Sequence, residues 1–148
     1  MHVCLNETIT GVEFLSDPEW NSSHPPLVAD ATSTLLSRPV DVARYGVVFA
    51  SGGKNLPAGI TVAIVRNDLL TGRRVHPMCP AVLDYRANGG ALQPVASAFE
   101  SMPNTPPVFA CWMLEVSAAS HPICSRLRAC VCVCVCVCST LMQHSEAL

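Results

Sequence analysis

The chain has 148 residues, enough for one ordinary domain or for part of a larger one. Half of them are hydrophobic, which excludes a chain disordered throughout, and 14% are charged, against about 25% in a typical soluble domain. The net charge of −2 argues against nucleic acid as the main partner, and the longest apolar run, the ten residues Ala129–Cys138, falls short of the roughly 20 that a membrane-spanning helix needs.

The first residues are strand-like and lead at once into Asn6-Glu7-Thr8. Pro26–Ala29 reads as a short buried strand ending at Asp30, and Thr32–Leu36 as a loop or one helical turn. Pro39–Tyr45 reads as a second helical turn, with Asp41 to cap it and Gly46 to end it. Val47–Ala50 is a strand of β-forming residues. Ser51–Gly59 is a loop with three glycines and a proline. Ile60–Arg66 is a strand whose apolar run Val62–Val65 predicts cover on both faces. Asn67 caps a short helix through Leu70, Arg73–Pro107 is mostly irregular, and Val108–Val116 starts a helix behind prolines suited to its first turn. Short strands interleaved with helical turns give an α/β class, and the many prolines and loops suggest a piece of a larger fold.

Of nine cysteines, five lie in Cys130–Cys138; Cys4, Cys79, Cys111 and Cys124 are scattered without a CxxC pair. With no basic and apolar leader at the N-terminus, the four read as reduced, buried small hydrophobes in a cytoplasmic setting. A plastid location would need a transit peptide outside this chain. Lysine occurs once, as Lys54, beside eight arginines. Any mechanism that needs a lysine amine therefore has one candidate.

Lys54 sits in Ala50-Ser51-Gly52-Gly53-Lys54-Asn55, a small-residue loop after a buried strand. An amine there can approach a bound carbonyl closely, and partial desolvation favours its neutral, nucleophilic form. The plain alternative is a solvated loop lysine. Asp30 ends an apolar strand; a carboxylate there can pair with a pyridinium nitrogen, or else cap the turn Ala31–Leu36. Thr8 in Asn6-Glu7-Thr8 offers a hydroxyl to a cofactor oxygen, or belongs to a turn. Asn104-Thr105-Pro106-Pro107 is a rigid polar tip suited to phosphate, or an ordinary loop before a helix.

Taken in order, His2–Phe14, Val28-Ala29-Asp30, Leu36–Val42, Tyr45–Lys54-Asn55, Ala58–Val62, Val65–Leu70, Leu83-Asp84-Tyr85 and Asn104–Pro107 resemble blocks of the phosphoserine aminotransferase family. The resemblance covers about residues 2–115. It implies a fold type I, class V aminotransferase: an incomplete large domain with a mixed, mostly parallel sheet over residues 1–115. Residues 116–148 form a low-complexity tail outside it. It implies that Lys54 is the Schiff-base lysine of pyridoxal 5′-phosphate and the general base and acid of the proton transfer. Asp30 would hold the ring nitrogen, Thr8 the phenolic oxygen, and Asn104 and Thr105 the cofactor phosphate of a homodimer partner. The implied reaction is amino transfer between O-phospho-L-serine and 2-oxoglutarate, in serine biosynthesis. The family usually has Gln where this chain has Gly53, and Ala-Gly-Ala where it has Ala50-Ser51-Gly52; the stretch from Tyr85 to Met102 matches poorly. The family's other phosphate loop, ring-stacking aromatic and substrate arginines lie outside this chain, so a fragment is expected.

The run Cys130–Cys138 alternates Cys and Val. As a strand it would place five thiols on one face, able to bind a soft metal, and it is prone to β-aggregation. A GT dinucleotide repeat translated in frame also yields alternating Val and Cys, which reads the tail as non-coding DNA. Three functions therefore stand: a fragment of a phosphoserine aminotransferase, a non-catalytic remnant that at most binds cofactor or pairs with a full-length subunit, and a thiol-rich metal-binding protein.

Overall fold

The computed structural model describes residues 1–21, 24–71, 75–80, 83–88, 107–119 and 133–135. In chain order the elements are β1 (His2–Cys4), β2 (Asn6–Glu7), β3 (Val12–Glu13), β4 (Val28–Asp30), a 3-10 turn (Val42–Arg44), β5 (Val47–Ser51), β6 (Thr61–Val65), α1 (Asn67–Thr71), α2 (Tyr85–Asn88), α3 (Val108–Ala119) and β7 (Val133–Val135). One sheet has the order β1-β4-β5-β6-β7, and β2 and β3 form a separate antiparallel hairpin. β1, β4 and β5 are parallel. β6 runs antiparallel to β5, and β7 antiparallel to β6. The result is the mixed α/β sheet that the sequence implies.

Period-two alternation sorts the strand residues between two cores. Ala29, Val48, Ala50, Val62 and Ile64 join Leu5, Leu35, Tyr45, Leu56, Ile60 and Ala110 in the larger cluster. Their sequence neighbours Val47, Ala63 and Val65 join Leu70 in the smaller one, where Val28, Phe49, Leu69 and Tyr85 also pack. β6 is therefore covered on both faces, as its unbroken apolar run requires. On α3, Ala110 is buried and Cys111 and Leu114 pack on the larger core, while Phe109 and Trp112 stay exposed and contact each other at 6.0 Å.

The boundaries shift for local reasons. The strand expected over Pro26–Ala29 is Val28–Asp30, and the strand from Val47 continues through Ser51. Asp41 does cap the 3-10 turn, its Oδ1 accepting from Ala43 N at 3.2 Å. That turn ends at Tyr45, in extended backbone. Gly46 beyond it is drawn into the sheet, donating its N–H to Leu27 O at 2.8 Å. Within the stretch expected to be irregular, α2 forms because Asp84 Oδ1 accepts from Arg86 N at 2.9 Å. Cys4, Cys79 and Cys111 are half-buried rather than buried; Cys124 lies outside the described residues. Cys111 packs against the rim of the larger core, and none of the three is fully buried.

Arg38 ties the β2–β3 hairpin to the segment that follows β4. Its guanidinium donates to Phe14 O at 3.0 Å and Pro39 O at 3.2 Å, and pairs with Glu13 at 3.4 Å and Asp17 at 3.7 Å. Arg44 adds a bond to Pro18 O at 3.1 Å. Beneath them the buried Tyr45 donates its phenol proton to Asp17 Oδ1 at 3.0 Å. Burial, then the bond and charge of Asp17, push the Tyr45 phenol well above its ordinary value. An unfolded tyrosine ionises near pH ~10 while the folded one keeps its proton. Tyr45 therefore contributes stability that is whole below that pH and is lost as pH rises above it. The thermal midpoint should fall on alkaline titration past pH ~10. Tyr45→Phe should flatten that slope and cost about 1 kcal/mol at neutral pH. An equal alkaline slope in the variant would refute the assignment.

Candidate active site

Because β1, β4 and β5 are parallel, their carboxyl ends share one end of the sheet. In open α/β sheets ligands bind outside that end. Asp30 is the last residue of β4, opposite Cys4 of β1 on one side and Phe49 of β5 on the other. The loop after β5 carries Lys54, and the turn of the β2–β3 hairpin carries Thr8. Thus three chain segments distant in sequence deliver an amine, a hydroxyl and a carboxylate to one end of the sheet.

The amine has a defined seat. Lys54 Nζ donates to Ser33 Oγ at 2.6 Å and to Thr8 Oγ1, and the two hydroxyls bond each other at 2.5 Å. Lys54 makes no ion pair among the described residues. Its side chain is exposed, so the partial desolvation expected of the loop does not come from burial within the described residues. Asn55 beside it donates to Leu35 O at 2.9 Å, which pins the loop to the turn after β4.

Asp30 takes the turn-capping role and leaves its second oxygen uncommitted. Its Oδ1 accepts from Thr32 N at 2.9 Å, which caps the turn, while Oδ2 has no hydrogen-bond partner among the described residues. A half-buried carboxylate with one oxygen committed and one open suits an N–H donor such as a protonated ring nitrogen. Thr32 Oγ1 in turn accepts from Ser51 N at 3.2 Å. Asp30, Thr32, Ser33 and Lys54 are therefore linked through a single turn and the end of β5.

The loop that bears Lys54 is shaped by glycine. Gly53 has φ +109°, a conformation that L side chains rarely adopt, so glutamine at this position would be strained in this backbone. Gly52 donates to Ile60 O at 2.7 Å and Gly53 to Leu56 O at 2.9 Å, closing the loop on itself.

Residues 1–118 match the family described as Aminotransferase class-V. The chain belongs to the class-V aminotransferase family. Over 115 residues it is 48% identical to the phosphoserine aminotransferase of Hahella chejuensis (strain KCTC 2396), covering 77% of this chain and 28% of that protein. It superposes on the pyridoxal-phosphate-bound phosphoserine aminotransferase of Trichomonas vaginalis with a TM-score of 0.65 at 37% identity, over 78% of this chain and 29% of that one. The phosphoserine aminotransferase of Bacillus circulans subsp. alkalophilus gives the same TM-score, identity and coverage. This class-V aminotransferase chain thus spans a little over a quarter of the length of these relatives.

Within it, the sequence-predicted Lys54 and Thr8 are in direct contact, and Asp30 lies at the carboxyl end of the adjoining strand. Asn104 and Thr105 lie outside the described residues. So does the Cys-Val run apart from Val133–Val135, whose backbone pairs with Ile64–Val62 of β6. Sequence reasoning missed Ser33. Its one signal was position, three residues after Asp30 in a hydroxyl-rich Thr32-Ser33-Thr34 run, and nothing in that run distinguishes it from its neighbours.

Proposed function

We propose that this chain is part of a phosphoserine aminotransferase and carries the cofactor-attaching half of its site. The observation that supports this best is the meeting of Lys54, Thr8 and Ser33 beside Asp30 at the carboxyl end of the parallel strands, within a segment 48% identical to such an enzyme. The reaction in this reading is reversible amino transfer between O-phospho-L-serine and 2-oxoglutarate, and the direction that starts from 3-phosphohydroxypyruvate and glutamate leads to serine.

The cofactor in this reading is pyridoxal 5′-phosphate, which when bound supplies an aldehyde and a protonated ring that withdraws electrons from the substrate's Cα. The donor set fits it. Lys54 offers the primary amine that binds the aldehyde, and holds at Nζ the proton it takes from Cα. The open oxygen of Asp30 accepts from the ring N–H and keeps that nitrogen protonated. Thr8 orients the phenolic oxygen. Asn104 and Thr105 bind a phosphate, by this reading that of a second subunit in a homodimer. In this reading residues 1–115 form the working segment, although α3 continues to Ala119 and Val133–Val135 adds a strand beside β6. The proposed compartment is the cytoplasm, where thiols such as Cys4 and Cys111 stay reduced.

A second reading rests on the chain's span of 28% of its relative: a remnant that attaches cofactor without transferring an amino group. One experiment separates the two. The full chain is mixed with pyridoxal phosphate, scanned for a visible absorption band, reduced with borohydride and peptide-mapped. It is then assayed for glutamate formed from O-phosphoserine and 2-oxoglutarate. Label on Lys54 with glutamate formed supports the enzyme, and label without glutamate supports the remnant. Absence of label on Lys54 refutes both.

A further inference from the structure

We infer that Ser33 is a positioning residue for Lys54, acting with Thr8 as a two-hydroxyl seat that holds the amine at the carboxyl end of the sheet. The inference deepens the cofactor reading above, since the seat aims the amine where that reading needs it.

Three observations carry it. The first is geometric: Lys54 Nζ donates to both Ser33 and Thr8, and the two hydroxyls bond each other, so each atom of the triangle is fixed by the other two. A lysine on a four-carbon stem loses much rotamer freedom on being held this way. Two acceptors that are themselves bonded hold it better than one.

The second is the anchoring of the seat itself. Ser33 lies in a turn closed by Thr34 N to Ala31 O at 2.9 Å and Leu35 N to Ala31 O at 2.7 Å, with Ala31 fully buried. Ala31 N bonds Phe49 O of β5 at 2.7 Å, and Asp30 caps the same turn. Thr8 comes from a hairpin strapped down by Arg38. Ser33 is thus mounted on a turn tied to the buried end of the sheet, whereas Thr8 and Lys54 lie on exposed loops. Position flows from Ser33 to the amine.

The third is chemical. The seat is neutral. A carboxylate in place of Ser33 would hold the ammonium in a strong ion pair and oppose its conversion to the free amine. Two hydroxyls hold either protonation state, since a hydroxyl both accepts from an ammonium and donates to an amine lone pair. Such a seat keeps the amine placed without holding it protonated.

The test exploits Lys54 being the sole lysine. The full chain and its Ser33→Ala and Ser33→Thr variants are treated with two amine probes, and Lys54 is followed by peptide mass spectrometry. Trinitrobenzenesulfonate needs only a free amine; pyridoxal phosphate needs a placed one. Ser33→Ala should label about three-fold faster with the first and attach the second about three-fold more slowly, the scale of one exposed, solvent-screened hydrogen bond. Ser33→Thr should restore both rates. Opposite movement of the two rates is what general loosening cannot produce. Unchanged rates in Ser33→Ala, or rates that move together and are not restored by Ser33→Thr, would overturn the inference. If the unaltered chain attaches no pyridoxal phosphate while Ser33→Ala still speeds trinitrophenylation and Ser33→Thr reverses it, the seat stands and the cofactor reading fails.

Discussion

Replacing Lys54 by arginine is expected to abolish covalent attachment of pyridoxal phosphate at position 54 while leaving the fold intact. Arginine keeps the positive charge and the reach to Ser33 and Thr8, but its guanidinium does not deprotonate and forms no stable adduct with an aldehyde. The chain has no other lysine to substitute for it. Lys54 is exposed and outside both core clusters, so the thermal midpoint should correspond to a change within about 0.5 kcal/mol. Borohydride reduction followed by peptide mapping checks the first point, and circular dichroism melting the second. Undiminished attachment at another nitrogen in the variant would remove Lys54 from the mechanism. Loss of attachment with loss of fold would make its role structural.

The largest effect on stability is expected from Gly52→Ala. A Cβ at Gly52 would lie 1.9 Å from Pro57 O and 2.8 Å from Ile60 O, both backbone atoms that no side-chain rotation can move aside. The loop from β5 to β6 would have to open, breaking the Gly52 N to Ile60 O bond and disturbing the burial of Leu56 and Ile60. Overpacking against rigid backbone of this kind costs about 3 kcal/mol. Gly53→Ala is the control: nothing lies within 4 Å of its Cβ, and only the positive φ is penalised, by about 1 kcal/mol. Urea denaturation of the two variants should rank Gly52→Ala well below Gly53→Ala. Equal midpoints would show that the loop yields at little cost. Because the same loop carries Lys54, Gly52→Ala should also impair attachment, and Gly53→Ala much less.

The two glycines illustrate what was legible beforehand. Three glycines and a proline between two apolar strands announced a loop, and a lysine in it announced an amine near the end of a strand. That Gly52 is required by a backbone contact and Gly53 by its dihedral was not legible. Both facts depend on where Pro57 and Ile60 return, which is set by the antiparallel pairing of Ser51 with Thr61. The strands themselves were read with small shifts, because alternation and β-branching are local properties. The start of the 3-10 turn lies later than expected, at Val42, because Asp41 caps it, while its end at Tyr45 is as expected.

Ser33 marks the same limit in the site. Lys54, Thr8 and Asp30 stood out because their chemistry admits a cofactor role and the family resemblance implies one for each. A serine in a run of hydroxyl residues has no such mark. Only the parallel packing of β1, β4 and β5 brings their following loops to one end and puts Ser33 on the amine.

By itself the sequence determined the α/β class and the identity of the single lysine amine, since these follow from local periodicity and residue type, and its ordered blocks carried the resemblance to the family. The tertiary structure alone decided which hydroxyls meet that amine, which oxygen of Asp30 stays open and which glycine tolerates a methyl group. Those depend on distances between segments far apart along the chain, and a distance of that kind exists only after the strands have paired.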